Sequence, residues 1–168
     1  GDSDRPLILG VTRESGQARF FGGDLVGMVA ADFLKPDAVV VPISTNDAID
    51  RGALVPALEP KTRIGSPFVI QGMLDALKRG RRKVVGWEAN GGFLTGSELT
   101  LEGRRLAPLP TRDAVLPILA VLASAVAQEK GLPALFSALP PRFSRAALLK
   151  NFPKDKSQTI LKKLRPLS

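Results

Sequence analysis

Gly22 to Val41, GGDLVGMVAADFLKPDAVVV, is the stretch that decides the fold. Leu25, Val26, Val29 and Phe33 recur at a helical period, Asp24 stands near the N-terminal end, and Pro36 stops the run. Ala38 to Val41 follows as four apolar residues in a row, three of them β-branched. That run is too short for a helix and has no polar alternation, so it predicts a strand buried on both faces. A helix joined by a short link to a doubly buried strand is the unit of an α/β layer.

The flanks extend the same pattern. Upstream, Arg5 to Val11 (RPLILGV) predicts a strand, with Glu14-Ser15-Gly16-Gln17 as a hairpin turn. Downstream, Ser44 to Asp47 offers caps for a short helix reaching Arg51, and Lys61 to Ile64 reads as a short strand. Gly65-Ser66-Pro67 opens a helix to Arg79, with proline at a permitted first-turn position. The apolar half of RRKVVGWE (81–88) predicts a strand, Asn90-Gly91-Gly92 a tight turn, and Phe93-Leu94-Thr95 the strand leaving it. The expected fold class is α/β, a mixed β-sheet layered between helices, largely parallel but hairpin-connected after Asn90. Asp113 to Lys130 is the long helix, ended by Gly131-Leu132-Pro133, and a short helical piece from Ala134 to Leu139 leads to Pro140-Pro141.

Composition sets the limits of the chemistry. A chain of 168 residues predicts one domain with an appendage, and 44% hydrophobic residues supply a core. The longest nearly apolar run, Ala114 to Ala127, contains Pro117 and Ser124 and falls short of the roughly 20 residues that span a bilayer. It therefore reads as a buried helix, and no membrane partner is expected. There is no Cys and no His. Disulfides, thiol nucleophiles, imidazole bases and Cys/His zinc sites are excluded together. Carboxylates, Lys/Arg, hydroxyls and backbone amides remain, a set suited to hard cations and phosphate.

Charge is concentrated at one end. Residues 142–168 hold eight basic and one acidic side chain, which leaves sixteen basic and fifteen acidic in the first 141. The tail is too poor in apolar residues to form a core of its own. Gly1-Asp2-Ser3-Asp4-Arg5 opens as if in the middle of a motif, without a Met or an apolar leader, and the expectation is a fragment of a longer protein.

Four motifs carry possible chemistry. Asp2 and Asp4 lie two apart, so in a loop both can reach one Mg²⁺, with Arg5 beside them to hold a phosphate. A solvated polar terminus has the same spacing. Glu88-Ala89-Asn90-Gly91-Gly92 follows a buried strand, where an acid and an amide on a turn can bind neighbouring sugar hydroxyls; a plain Asn-Gly turn reads identically. Lys61 to Ser66, with Arg63 at its centre, fits an anion loop at a helix N-terminus or an ordinary charged loop. Arg79 to Lys83 and the tail invite a polyanion, but neither has an interleaved Phe/Tyr platform for stacking bases, so nucleic acid is disfavoured as a partner. No G-x-G-x-x-G follows a strand, which disfavours a Rossmann-like nucleotide binder.

Taken in order, GDSDRP (1–6), FGGDLVG (21–27), TRIGSPFV (62–69), GWEANGGF (86–93) and LPTRDAVLPILAVL (109–122) resemble the α-D-phosphohexomutases, the phosphomannomutase/phosphoglucomutase family. The opening resembles that family's DGDxDR metal loop without its first Asp, and EANGG the G-E-x-S-G sugar loop. The resemblance implies a Mg²⁺-dependent interconversion of hexose 6-phosphate and 1-phosphate, of mannose and/or glucose, through a phosphoserine enzyme and a bisphosphate intermediate. It implies Asp2 and Asp4 as metal ligands, Arg5 as a catalytic residue near the phosphoserine, and Glu88, Asn90, Gly91 and Arg63 as substrate-binding residues. Residues 1–5 would be the remnant of the metal loop, 6–139 the sugar-binding domain, and 140–168 the hinge and the start of a C-terminal domain. A phosphosugar and the remaining domains of a parent chain would be the partners, and the cytoplasm the location. Asn90 stands where the family commonly has Ser, Ser66 receives no role, and Glu88 is expected as a solvent-facing turn acid. The alternative function is a basic polyanion- or nucleic-acid-binding module acting through residues 142–168.

Overall fold

A computed structural model describes residues 3–12, 15–144, 147 and 149–165. The chain runs through β1 (Ile8–Val11), β2 (Ala18–Phe21), α1 (Gly23–Leu34) and β3 (Ala38–Val40), then two 3-10 turns, Asp47–Arg51 and Val55–Ala57. After α2 (Ser66–Lys78) come β4 (Val84–Trp87), β5 (Phe93–Thr95), β6 (Leu99–Leu101), β7 (Arg104–Leu106) and β8 (Leu109–Asp113). Helices α3 (Val115–Ala127), α4 (Leu132–Ser137) and α5 (Lys154–Leu164) complete it.

The central sheet has the order β3-β4-β5-β8, and side chains of alternate residues go to opposite layers. Val39, Val85, Trp87 and Phe93 pack with Met28, Ala31 and Ala120 of α1 and α3. Ala38, Val40, Val84 and Leu94 pack with Val69, Met73 and Ala76 of α2. Trp87 and Phe93, paired across β4 and β5, stack with ring centroids 5.8 Å apart. A third cluster fixes the β1-β2 hairpin to the helices: Ile8 and Phe21 meet Val26, Val121 and Phe136, with Phe21 and Phe136 stacked at 4.1 Å.

The mixed α/β sheet is as expected, but the sheet is not largely parallel. Only β3–β4 is parallel; β4–β5 and β5–β8 are antiparallel. The turn at Asn90 sends the chain straight back beside β4, and no helix crosses over before β8, so parallel pairing has no connection to support it. The excursion between β5 and β8 is the β6-β7 hairpin, turned by Glu102 and Gly103 at φ +49° and +77°. Lys61 to Ile64 is not a strand but a single bridge, Pro42 to Thr62. The long helix begins two residues late because Asp113 caps it, its carboxylate accepting from the N–H groups of Val115 and Leu116 at 3.0 and 2.9 Å.

No helix among the described residues is long and apolar enough to cross a membrane. Helix α5 buries none of its residues. By contrast, in the basic run 79–83, Arg79 and Arg81 pair with the buried Glu59, and the backbone N–H groups of Arg82 and Lys83 are held by Asp37. Limited trypsin treatment is therefore expected to cut at Lys150 and the α5 lysines before Arg79 to Lys83. Early cleavage within 79–83 would count against a domain boundary at Pro140-Pro141.

Candidate functional site

The turn after β4 is a hydrogen-bonded unit. Gly91 N–H donates to the Glu88 carbonyl at 2.7 Å, Glu88 N–H to the Gly92 carbonyl at 3.3 Å, and Gly92 N–H to Asn90 Oδ1 at 3.0 Å. Asn90 itself is exposed. Gly91 has φ +88°, and a Cβ there would lie 2.8 Å from the Gly23 Cα and 2.9 Å from Pro6 Cγ. A Cβ on Gly23 would fall on the carbonyl carbon of Asn90. Two glycines thus let the turn sit directly on the N-terminal end of α1.

Glu88 is not solvent-facing; it is only 8% exposed. It shares Arg112, on β8, with Asp4: the guanidinium is 2.8 Å from Asp4 Oδ2 and 3.6 Å from Glu88 Oε2. Ala114 N–H donates to the Ser3 carbonyl at 3.0 Å, clipping the N-terminal segment alongside the end of β8. Arg5 is largely exposed, with Nε 3.8 Å from Asp4 Oδ2. Arg112 had no sequence signal of its own, since one arginine in LPTRD looks like any surface charge. Its importance comes from standing between two carboxylates far apart in the chain.

Asp2 lies outside the described residues. Asp4 Oδ1 is buried without a hydrogen-bond partner, the kind of oxygen a hard cation satisfies. Among the described residues, however, no group of three acids, histidines or cysteines gathers to complete a metal shell. Asp4 fits magnesium in kind, and the described residues alone do not fit it in number.

Asn90, Pro6 and Gly23 border a cavity of about 680 Å³, which also reaches Asp24, Asn46 and the Arg142–Ser144 segment. Asp24 Oδ2 accepts from Asn46 N–H at 3.2 Å. The Asn46 side chain caps the 3-10 turn through Ala48 N–H and donates to the Arg142 carbonyl and Ser144 Oγ at 3.3 and 3.2 Å. Burial pushes the Asp24 carboxyl up to about 6, partly offset by the Asn46 hydrogen bond and the charge of Lys61. Its folded value therefore lies above its unfolded one. The stability this group contributes is fully present below about pH 4 and is lost as pH rises through about 6.

Arg63 is not brought to this cavity. It lines a separate one of about 370 Å³ with Glu59 and Arg79, its guanidinium 5.8 Å from the Phe68 ring centroid. The structure thus brings Asp4, Glu88, Asn90 and Gly91 together and leaves Arg63 apart.

Residues 22–143 match the model of the phosphoglucomutase/phosphomannomutase α/β/α domain III. The chain is 37% identical over 160 residues to a phosphomannomutase of Sinorhizobium fredii, and 36% identical over 161 residues to one of Salmonella muenchen. The matches take in 95% and 96% of this chain but only 32% of each relative, so it spans about a third of their length. The fold is similar to that of the N-acetylphosphoglucosamine mutase of Aspergillus fumigatus, at TM-score 0.58 and 16% identity, over 83% of this chain and 31% of that one. The chain belongs to the phosphoglucomutase/phosphomannomutase family, of which it carries the third domain.

Proposed function

We propose that this chain is the sugar-binding third domain of a longer phosphohexomutase, with part of the metal loop at one end and the hinge to a further domain at the other. The full-length enzyme interconverts the 6- and 1-phosphates of mannose and/or glucose through a phosphoserine and a bisphosphate intermediate. The observation that carries the reading is the convergence of Asp4 and Glu88 on Arg112. It joins the segment resembling the family's metal loop to the one resembling its sugar loop.

Glu88 binds sugar hydroxyls through its carboxylate, and Asn90, whose Oδ1 is engaged by Gly92, offers its amide N–H groups. Gly91 lets the turn approach α1, and Arg5 faces the transferring phosphoryl group. Arg63, on the other cavity, reaches substrate only if a phosphate spans towards α2, which makes it the weakest member of the set. Asp2 and Asp4 would hold Mg²⁺ only together with groups outside the described residues. When bound, the ion neutralises charge on the transferring phosphate. Binding by paired hydroxyls, with the phosphate ends left to other parts of the enzyme, allows the sugar to sit in either of two flipped orientations.

Full-length enzyme should convert mannose 1-phosphate or glucose 1-phosphate to the 6-phosphate, and turnover of neither would sink the proposal. Asn90→Ser should be mild in the same assay, because a hydroxyl keeps the hydrogen-bonding ability of the turn. Calorimetric titration of Mg²⁺ into the 168-residue chain should show only weak binding. A tight stoichiometric site there would refute the reading of residues 1–5 as a partial loop.

A further inference from the structure

We propose that Asp24 is a second substrate-contacting residue, a specificity-determining acceptor for one hydroxyl of a hexose that lies against Asn90. The inference rests on the reading of the Glu88–Gly92 turn as the sugar loop. Asp24 is 7% exposed and borders the same 680 Å³ cavity as Asn90. One of its oxygens is occupied by Asn46 N–H, while Oδ1 is buried with no partner in the protein. Leaving a carboxylate oxygen in that condition is costly, so its retention on a residue bordering a cavity that Asn46, Asn90 and Ser144 also reach points to a donor that arrives from outside. A water molecule alone would satisfy it equally, which is why the test must discriminate between hydroxyls.

The geometry specifies the donor's chemistry. Gly23, the residue before Asp24, is in contact with the backbone at Asn90 and Gly91. An acceptor from α1 and an amide donor from the turn are thus carried on two touching segments. A sugar hydroxyl can give its proton to Asp24 Oδ1, and its ring neighbour can accept from Asn90 Nδ2. Asn46 faces Asp24 from the start of the 3-10 turn, and Lys61 supplies the nearby positive charge, itself 2.7 Å from Asp50. The competing explanation is an acid in the first turn of α1 that only favours the helix dipole.

The test is Asp24→Asn in the full-length enzyme, assayed with mannose 1-phosphate and with its 2-, 3- and 4-deoxy analogues, with Glu88→Ala as a control. The expected result is a KM raised about 10-fold or more, kcat changed far less, and a thermal midpoint at pH 7.5 raised by a few degrees. One deoxy sugar should be penalised by the wild type and no longer penalised by Asp24→Asn. If every deoxy analogue costs the same in both enzymes, or if the midpoint falls while KM is unchanged, Asp24 is a structural acid and the proposal fails. Should Glu88→Ala also leave KM and kcat unchanged, the sugar-loop reading falls with it. An effect of Glu88→Ala alone removes Asp24 from the site and leaves that reading standing.

Discussion

Glu88→Ala in the full-length enzyme is expected to lower kcat/KM by about 100-fold or more, with little change in circular dichroism or the unfolding midpoint. Each hydroxyl left without its acceptor in a closed site costs roughly 1–3 kcal/mol, and a carboxylate serves two. The fold survives for a reason the structure supplies. Glu88 Oε2 makes no hydrogen bond in the protein, and Arg112 keeps its closer partner, Asp4, at 2.8 Å. Removing the acid therefore leaves no buried cation stranded, and the stability loss should stay near or below about 1 kcal/mol. Glu88→Gln separates the two roles of the side chain. It keeps the shape and one acceptor but not the charge facing Arg112, and its loss should be intermediate. Full activity in Glu88→Ala, or activity lost only through unfolding, would return the segment to a plain Asn-Gly turn.

Gly23→Ala should damage both stability and turnover. On helix propensity alone the change should be neutral or favourable, since alanine is preferred over glycine by up to about 1 kcal/mol in a helix. The added Cβ falls on the Asn90 carbonyl carbon, and backbone on both sides must give way. We expect a destabilisation of about 1–3 kcal/mol in urea unfolding. We also expect a fall in kcat/KM of about 10- to 100-fold, because a displacement near 1 Å at a positioning loop is enough for that. A variant more stable than wild type with unchanged kinetics would show that the turn does not depend on its seat at the start of α1.

Some of this was legible in the linear order of residues. Helix α1 and strand β3 follow from a local period and a proline stop, and α2 from Pro67 at its first turn, because these signals act within a few residues. The turn at Asn90 was equally plain. The order of motifs grouped Asp2, Asp4, Arg5, Arg63, Glu88, Asn90 and Gly91 into one expected site; Asp4 and Glu88 meet at Arg112, Asn90 and Gly91 share the turn of Glu88, and Arg63 lies on a separate cavity. What the sequence could not show is which segments meet. β4 and β5 pair antiparallel because the tight turn leaves no crossover, and β8 completes the sheet although LPTRD alternates too weakly to be read as a strand. Glu88 has the composition of a surface turn and is nevertheless buried. Arg112 became a bridge, and Asp24 a buried acid with an empty oxygen, only when distant backbone closed around them. Periodicity, capping and turn chemistry are local free-energy preferences, and one sequence displays them. Desolvation and ion pairing depend on neighbours supplied by the tertiary fold, and that fold alone decided which charges meet at the candidate site.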